Sequence, residues 1–254
     1  AVEGKTLWII GASAGIGAEV ALQLAQAGHF VIVSARDEAA LNQLSFRAPT
    51  RIKCLPLDLA APDTFAAVRQ ELLNITDFLD GIIFCAGVCE YETNLEFNYA
   101  QYSKVMQVNF LGLIAVLNMA KPLLKKSTCR AQIGVVSSLA TVVAFPRNEM
   151  YGASKAALDY FVAALRCDTV HLPVDITWVR PGFVATRLTA KNDFAMPFLM
   201  DVPTAAQKIV RGFLNRKRTV IFPYRLYVLL KLMAAFNPLW RSLCAKFLTR
   251  TKTW

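Results

Sequence analysis

Residues 6–17 read TLWIIGASAGIG. The apolar run Thr6–Ile10 predicts a strand, and the glycines that follow predict a tight turn into a helix that begins at Ile16. Glycine allows backbone angles and close approaches that other residues do not, so a pyrophosphate can lie against the exposed amides at the start of such a helix. Taken alone, the same turn could simply join a strand to a helix.

Short apolar runs and longer amphipathic stretches alternate along the chain, which is typical of βαβ units. Further strands are predicted at Phe30–Ser34, Ile52–Pro56, Gly81–Phe84, Gln132–Ser137, Asp175–Val179 and Thr219–Phe222. The clearest helices are predicted at Ile16–Ala27, Pro62–Leu73, Tyr99–Lys126, Tyr151–Val170 and Thr204–Asn215. The sequence therefore predicts an α/β fold: a Rossmann-like, doubly wound three-layer αβα sandwich over residues 1–222 with a seven-stranded, mainly parallel sheet, and a helical extension over residues 223–254.

The charges are divided unevenly along the chain. The 254 residues carry a formal net charge of +10, yet residues 1–201 hold 17 basic and 18 acidic residues. Residues 202–254 hold 11 basic residues and no acidic one. Such asymmetry suggests that the C-terminal part contacts an anionic membrane surface, nucleic acid or an acidic partner.

Other features narrow the class of protein. The 55% hydrophobic content excludes a disordered chain. The longest uncharged stretches are 16 residues, below the ~20 that a simple transmembrane helix needs, and the N-terminus shows no signal-peptide architecture. The six cysteines form no CxxC pair, so we expect no metal site and reduced thiols in a cytoplasmic protein.

Tyr151 and Lys155 are four residues apart, which places them on one face of a predicted helix. A phenol has an ordinary pKa of about 10, and an adjacent ammonium favours its ionised form. The pair can then exchange a proton with a carbonyl or alcohol oxygen, although such a spacing is also common in exposed helices. Ser138, at the end of a predicted strand, adds a third polar group and favours a catalytic site.

The GxxxGIG turn at 11–17, Ser138 and the Tyr151/Lys155 pair together resemble the short-chain dehydrogenase/reductase family. The resemblance implies an oxidoreductase that interconverts a ketone or aldehyde and an alcohol with a nicotinamide cofactor. Tyr151 would exchange the proton, Lys155 would lower its pKa and hold the nicotinamide ribose, and Ser138 would orient the substrate oxygen. Asn109 would maintain a helix distortion and a proton relay.

The resemblance also implies which residues bind the cofactor. They are Gly11, Ser13, Ala14, Gly15, Ile16, Gly17, Arg36, Asp58, Leu59, Ala86, Gly87, Asn109, Tyr151, Lys155, Pro181, Gly182, Val184 and Thr186. Ala35 stands where an acid would bind a ribose hydroxyl, and Arg36 can pair with a 2′-phosphate, so NADP(H) is favoured over NAD(H). Alternatively, Arg36 is a solvated surface charge. The sequence departs from the family where Phe84-Cys85 replaces Asn-Asn and Ile10 replaces Thr.

Residues Leu188–Met200 fall where the family places a substrate lid, near 186–203. Its apolar face is predicted to contain Phe194, Met196, Phe198, Leu199 and Met200, and Phe145 and Pro146 would extend the same wall. An apolar or amphipathic carbonyl or alcohol substrate is expected. Alternatively, these side chains pack on the core or on a neighbouring subunit of a homodimer or homotetramer.

The extension 223–254 is basic and amphipathic. Its apolar residues are Leu226, Leu229, Leu230, Met233, Leu239, Trp240, Leu243 and Phe247, and its basic residues are Arg225, Lys231, Arg241, Lys246, Arg250 and Lys252. It could lie on a membrane surface or pack within the protein or oligomer, whereas nucleic acid is disfavoured because no nucleic-acid module is present. The competing functional interpretation is a non-catalytic NADP(H)-binding sensor or scaffold.

Overall fold

A computed structural model describes residues 4–90, 97–192 and 195–245. Seven strands form one sheet in the order β3-β2-β1-β4-β5-β6-β7, and all of its pairings are parallel. The strands are β1 (Thr6–Ile10), β2 (Phe30–Ser34), β3 (Ile52–Cys54), β4 (Gly81–Phe84), β5 (Ala131–Val136), β6 (Val174–Pro181) and β7 (Thr219–Phe222). The predicted doubly wound α/β fold is confirmed.

Helices cover both faces of the sheet. They are α1 (Gly15–Gln26), α2 (Glu38–Phe46), α3 (Phe65–Ile75), α4 (Tyr99–Met106), α5 (Gly112–Leu124), α6 (Glu149–Asp168), α7 (Val202–Leu214), α8 (Tyr224–Ala235) and α9 (Asn237–Leu243). The sequence analysis did not place α2, a short helix that begins where the Asp37 carboxylate accepts a hydrogen bond from the amide of Ala40 at 2.9 Å.

Two apolar layers hold the helices on the sheet. On one face, α1 and α7 bury residues such as Val20, Leu24 and Phe213 against β1 and β2. On the other face, α3, α5 and α6 bury residues such as Leu72 and Val116. Phe84, which replaces an Asn of the family pattern, is fully buried in this second layer, so the substitution exchanges a polar tie for apolar packing.

The segment Tyr99–Leu124 is long and apolar enough to cross a membrane, although its longest uncharged stretch is shorter than a spanning helix. It consists of α4, a π-helical turn at Gln107–Leu111 and α5, and 44% of its most apolar window is buried inside the protein. Leu113, Val116 and Ala120 pack in the second apolar layer. The segment therefore has the contacts of a core helix.

The extension forms two helices, α8 and α9, that are described as far as Ala245. Leu226, Leu230 and Trp240 form a third apolar cluster with Leu139 and Val143, which follow β5. The inner face of the extension is thus packed onto the end of the sheet at which the parallel strands terminate. Residues 246–254, including the predicted Lys246, Phe247, Arg250 and Lys252, lie outside the described residues.

Candidate active site

A cavity of about 1180 Å³ lies along the carboxyl ends of the strands. The strand order reverses between β1 and β4, and ligands of open α/β sheets bind at such a point. Every residue predicted to bind the cofactor lines this cavity except Asn109, which is fully buried. The structure therefore brings together residues that are up to about 170 positions apart in sequence.

The glycine turn after β1 has backbone geometry that only glycine fits. Gly11 has φ +87°, and a Cβ on it would lie 2.6 Å from the backbone of Ala86. A Cβ on Gly17 would lie 2.1 Å from the carbonyl oxygen of Gly11. Helix α1 starts at Gly15 without a side-chain cap from Ala14, so the first amides of the helix face the cavity without such a partner. This cradle fits a pyrophosphate.

The end of the cavity beyond β2 and β3 fits the adenosine half of a dinucleotide. Arg36 is exposed and lines the cavity, while the neighbouring Asp37 carboxylate caps α2. Asp58 also lines the cavity, and its carboxylate accepts a hydrogen bond from the amide of Ala60 at 2.9 Å. The Asp37 and Asp58 carboxylates therefore each accept a hydrogen bond from a nearby backbone amide. The Arg36 guanidinium lies in the same part of the cavity wall.

Ser138, Tyr151 and Lys155 converge at the centre of the cavity. Ser138 follows β5 and begins a short 3₁₀ turn, whereas Tyr151 and Lys155 lie in the first two turns of α6. The Tyr151 and Ser138 hydroxyls are hydrogen-bonded. The Lys155 ammonium lies 5.7 Å from the centroid of the Tyr151 ring and donates a hydrogen bond to the carbonyl oxygen of Val136 at 3.1 Å.

Burial dominates the proton affinities of this pair. It raises the pKa of Tyr151 well above 10, and the hydrogen bond from Ser138 only partly opposes that shift. Burial likewise lowers the pKa of Lys155 from 10.5 to about 8. Lys155 is expected to lower the pKa of Tyr151, whereas burial, the largest effect on this phenol, acts in the opposite direction. The Tyr151 phenol is therefore protonated at neutral pH.

Asn109 connects the π-helical turn to two other parts of the site. Its side-chain oxygen accepts a hydrogen bond from the amide of Val88 at 2.8 Å. Its side-chain nitrogen donates to the carbonyl oxygen of Val88 and to the Ser154 hydroxyl, both at 2.9 Å. The side chain therefore holds the loop after β4 against α6, and the helix distortion expected around it is present.

A partly buried polar network beneath Ser138 was not predicted from the sequence. The Asp159 carboxylate accepts hydrogen bonds from the Ser137 hydroxyl, from Trp178 Nε1 at 2.9 Å and from the Thr141 hydroxyl at 2.5 Å. It also forms an ion pair with Arg180 at 3.3 Å. The network fixes both ends of the segment that carries Ser138. The available signal was the spacing, since Asp159 follows Lys155 by one helical turn.

The segment after β6 covers the glycine turn. A Cβ on Gly15 would lie 3.3 Å from Cγ2 of Thr186, so the two loops are in close contact. A Cβ on Gly182 would lie 2.8 Å from Cδ2 of Leu226 and 3.0 Å from Pro223, both in the extension. Pro181, Gly182, Val184 and Thr186 therefore lie between the predicted phosphate turn and helix α8.

The predicted lid segment lines the cavity, but its described apolar face does not, and the lining residues are Leu188, Thr189, Asn192, Ala195 and Pro197. Phe198 and Leu199 are 47% and 48% exposed, and neither lines the cavity. Phe198 has φ +59° in a turn that leads to Met200, which pairs with Val184 and packs against the first apolar layer instead. Met196 is half-buried and accepts a hydrogen bond from Asn192 at 3.2 Å, and Phe194 lies outside the described residues.

The apolar wall of the cavity is supplied mainly by the extension. Five of its side chains line the cavity, together with the predicted Phe145 and Pro146: Leu226, Leu229, Leu230, Met233 and Trp240. The Trp240 ring packs edge-on against Phe145 at 5.2 Å, and its Nε1 donates to the carbonyl oxygen of Ala144 at 2.7 Å. The C-terminal helices therefore build the chamber next to Tyr151.

The cavity wall includes a cysteine, Cys85. Burial raises the pKa of Cys85, which lines the cavity, to about 12, so its reactive thiolate is disfavoured. All six cysteines are free thiols. Within the described ranges, no cluster of three or more His, Cys, Asp or Glu side chains could hold a metal ion.

Known proteins share both this fold and this sequence pattern. The family model for short chain dehydrogenase matches residues 5–196. An uncharacterized oxidoreductase of Myxococcus xanthus is 30% identical over 227 residues, which cover 88% of this chain and 89% of the relative. An 11-beta-hydroxysteroid dehydrogenase A of Sesamum indicum is 28% identical over 243 residues, covering 87% of this chain and 69% of the relative.

A solved short-chain dehydrogenase from Streptomyces avermitilis superposes with a TM-score of 0.81 at 19% identity, over 95% of this chain and 96% of the other. That likeness concerns the fold, and the match of the family model extends it to the sequence of the site. The chain therefore belongs to the short-chain dehydrogenase/reductase family of oxidoreductases, which act on CH–OH groups with NAD(P)(H).

Proposed function

We propose that this protein is an NADP(H)-dependent reductase of apolar or amphipathic ketones or aldehydes. The observation that carries the proposal is the convergence of Ser138, Tyr151 and Lys155 in one cavity, between a pyrophosphate cradle and an apolar chamber. A scaffold that only binds a dinucleotide has no need of this buried Tyr–Lys pair.

Reduction is the direction that we propose, because it follows from the proposed use of NADPH. When bound, the nicotinamide supplies the hydride. The buried Tyr151 phenol retains its proton at neutral pH and can donate it to the substrate oxygen, which Ser138 holds by hydrogen bonding. Lys155, fixed by its bond to Val136, lies close enough to stabilise negative charge that develops on the phenol, and Asn109 holds the surrounding loop.

The substrate class follows from the walls of the chamber. Aliphatic and aromatic side chains from α8, α9 and Phe145 surround the space beside Tyr151. Such walls favour the binding of ligands with apolar surface and exclude water. The sesame relative is named for a hydroxysteroid, an amphipathic alcohol, which supports the same class for this chain.

The catalytic proposal is tested by NADPH oxidation against a panel of ketones and aldehydes. Tyr151→Phe keeps the ring but removes the proton donor, so we expect kcat to fall by ~10²–10⁴-fold with NADPH affinity retained. Tyr160→Phe, at an exposed position of the same helix, is the matched control. NADPH binding without turnover of any carbonyl compound by the native protein would favour the sensor or scaffold instead.

The cofactor preference rests on Arg36 and on the absence of an acid at Ala35. We expect Arg36→Ala to weaken NADPH binding by about tenfold or more and to leave NADH binding unchanged, because the lost charge-assisted bonds reach only the 2′-phosphate. Arg69→Ala, at an exposed position of α3, is the control. An unchanged ratio of the two affinities would exclude this role for Arg36.

Members of this family usually oligomerise, and the homodimer or homotetramer remains a prediction for this chain. Sedimentation equilibrium of the full chain measures it directly. The cytoplasmic location also remains a prediction, which cell fractionation would test.

A further inference from the structure

Helix α8 has two apolar faces. The inner face contains Leu226, Leu230 and Met233, which pack in the third apolar cluster. The outer face continues into α9, and its exposed fractions are 66% for Tyr224, 41% for Val228, 54% for Leu232, 64% for Phe236 and 61% for Leu239. The four-residue spacing places Tyr224, Val228 and Leu232 in one stripe along α8, and Phe236 and Leu239 follow at its junction with α9. This outer stripe is apolar surface that no described residue covers.

The charges beside the outer stripe favour one kind of partner. Arg225, Lys231 and Arg241 are exposed on the same two helices, and the chain has no acidic residue after Asp201. A symmetric contact with a second copy would bring these cations towards each other, which is unfavourable. An anionic lipid surface accepts both features at once, because headgroups attract the cations and the acyl boundary receives the apolar stripe.

The outer stripe also lies on a helix that forms a wall of the substrate chamber. Leu229 lines the cavity and is nevertheless 39% exposed, and it lies between Val228 on the outer face and Leu230 on the inner face. The cavity wall and the outer stripe are therefore two sides of one helix. A lipid surface that contacts the outer stripe would therefore be separated from the apolar chamber by a single helix.

We propose that the outer stripe of α8 and α9 binds an anionic membrane surface and that the substrate enters the chamber from the lipid. The entry step rests on the proposed function, whereas the docking step does not. Substrates of this route are amphipathic carbonyl compounds that partition into membranes.

Vesicle co-sedimentation of the full-length protein tests the docking step without any substrate. The native protein should bind vesicles of phosphatidylcholine with phosphatidylglycerol at low salt, and bind far less to phosphatidylcholine alone or at high salt. The double variant Leu232→Ser/Phe236→Ser should bind at least about tenfold more weakly, because it loses apolar surface that enters the interface. Phe46→Ser/Leu172→Ser, at exposed positions elsewhere, should bind like the native protein.

The charges are tested in parallel. Arg225→Gln/Lys231→Gln should weaken binding and reduce its salt dependence, whereas Lys125→Gln/Lys126→Gln, after α5, should change neither. Equal binding by the stripe and control variants would overturn the proposal. So would loss of a dimer in sedimentation velocity caused by Leu232→Ser/Phe236→Ser, since the stripe would then be a contact between copies.

NADPH oxidation with a small water-soluble ketone separates the two steps. The stripe variant should retain this activity in solution and lose the stimulation that vesicles give with a membrane-partitioned ketone. Vesicle binding without any carbonyl turnover would reject the proposed function and retain the docking. Normal turnover without vesicle binding would reject the docking and retain the proposed function.

Discussion

At the scale of single residues, the site depends on groups that touch no reacting atom. Ser138 is held by neighbours rather than by its own contacts alone: Ser137 precedes it, Thr141 follows it, and both donate to the Asp159 carboxylate. Arg180 balances the charge of that carboxylate. Asp159 is therefore a positioning residue, because its effect on the substrate oxygen is exerted through the segment that carries Ser138.

We expect Asp159→Asn to lower kcat about tenfold and to leave KM and NADPH affinity nearly unchanged, since the amide keeps the shape but weakens bonds that are charge-assisted. Steady-state kinetics and cofactor titration measure the two effects separately. Asp168→Asn, at an exposed position of the same helix, should leave kcat unaltered. A lower melting temperature with an unaltered kcat would show that Asp159 serves stability alone.

The lowered pKa of Lys155 leads to a second prediction, which concerns the stability of the fold. Its value of about 8 lies below the ordinary 10.5, so between these pH values the unfolded chain binds a proton that the folded chain does not. The contribution of Lys155 to the free energy of unfolding therefore rises with pH between about 8 and 10.5. Between these two pH values, the free energy of unfolding of the native protein should rise by about 3 kcal/mol more than that of Lys155→Met.

Urea denaturation at pH 8 and at about pH 10.5 measures this difference for the native protein and for Lys155→Met. Lys125→Met, which removes an exposed lysine, should show no such dependence on pH. A constant difference between the native protein and Lys155→Met would mean that the buried amine titrates normally.

At the scale of the elements, β6 and α8 meet at Gly182. An added Cβ there would lie 2.8 Å from Leu226 Cδ2, so Gly182→Ala should push α8 away and destabilise the protein by about 1–3 kcal/mol. In Gly182→Ala/Leu226→Ala, the shorter side chain at 226 makes room for the added Cβ at 182. The double variant should therefore lose less free energy of unfolding than the two single variants lose in sum. Chemical denaturation of the four proteins measures this coupling. Simple additivity would show that the helix shifts freely.

The elements also show where sequence reasoning succeeds and where it does not. The glycine turn and the Tyr151/Lys155 spacing could be predicted, because their geometry is local and few residue types satisfy it. The position of α8 could not be predicted, since its sequence has two apolar faces and periodicity does not tell which one meets the protein. The lid's apolar face was assigned to the wrong residues, because a turn at Phe198 leaves Phe198 and Leu199 exposed, whereas Pro197 lines the cavity.

At the scale of the whole molecule, the uneven charge and the substrate chamber belong to the same segment. The catalytic body supplies the nearly neutral α/β core and the reacting groups, and the basic extension closes the chamber beside them. Removing residues 223–254 would expose the third apolar cluster and open the chamber to water. The extension is therefore part of the active site as well as the carrier of the positive charge.

The apolar walls of the chamber predict how turnover depends on the length of the substrate. Each methylene group that becomes buried contributes about 0.8 kcal/mol, so kcat/KM for methyl ketones should rise about fourfold per added carbon until the chamber is filled. Leu229→Ser places a hydroxyl on the wall and should flatten this rise, whereas Val228→Ser, on the outward face of the same helix, should not. Measurements in vesicle-free solution keep membrane partitioning out of the comparison. If kcat/KM were independent of chain length in the native protein, the apolar chamber would not be the part of the cavity that binds substrate.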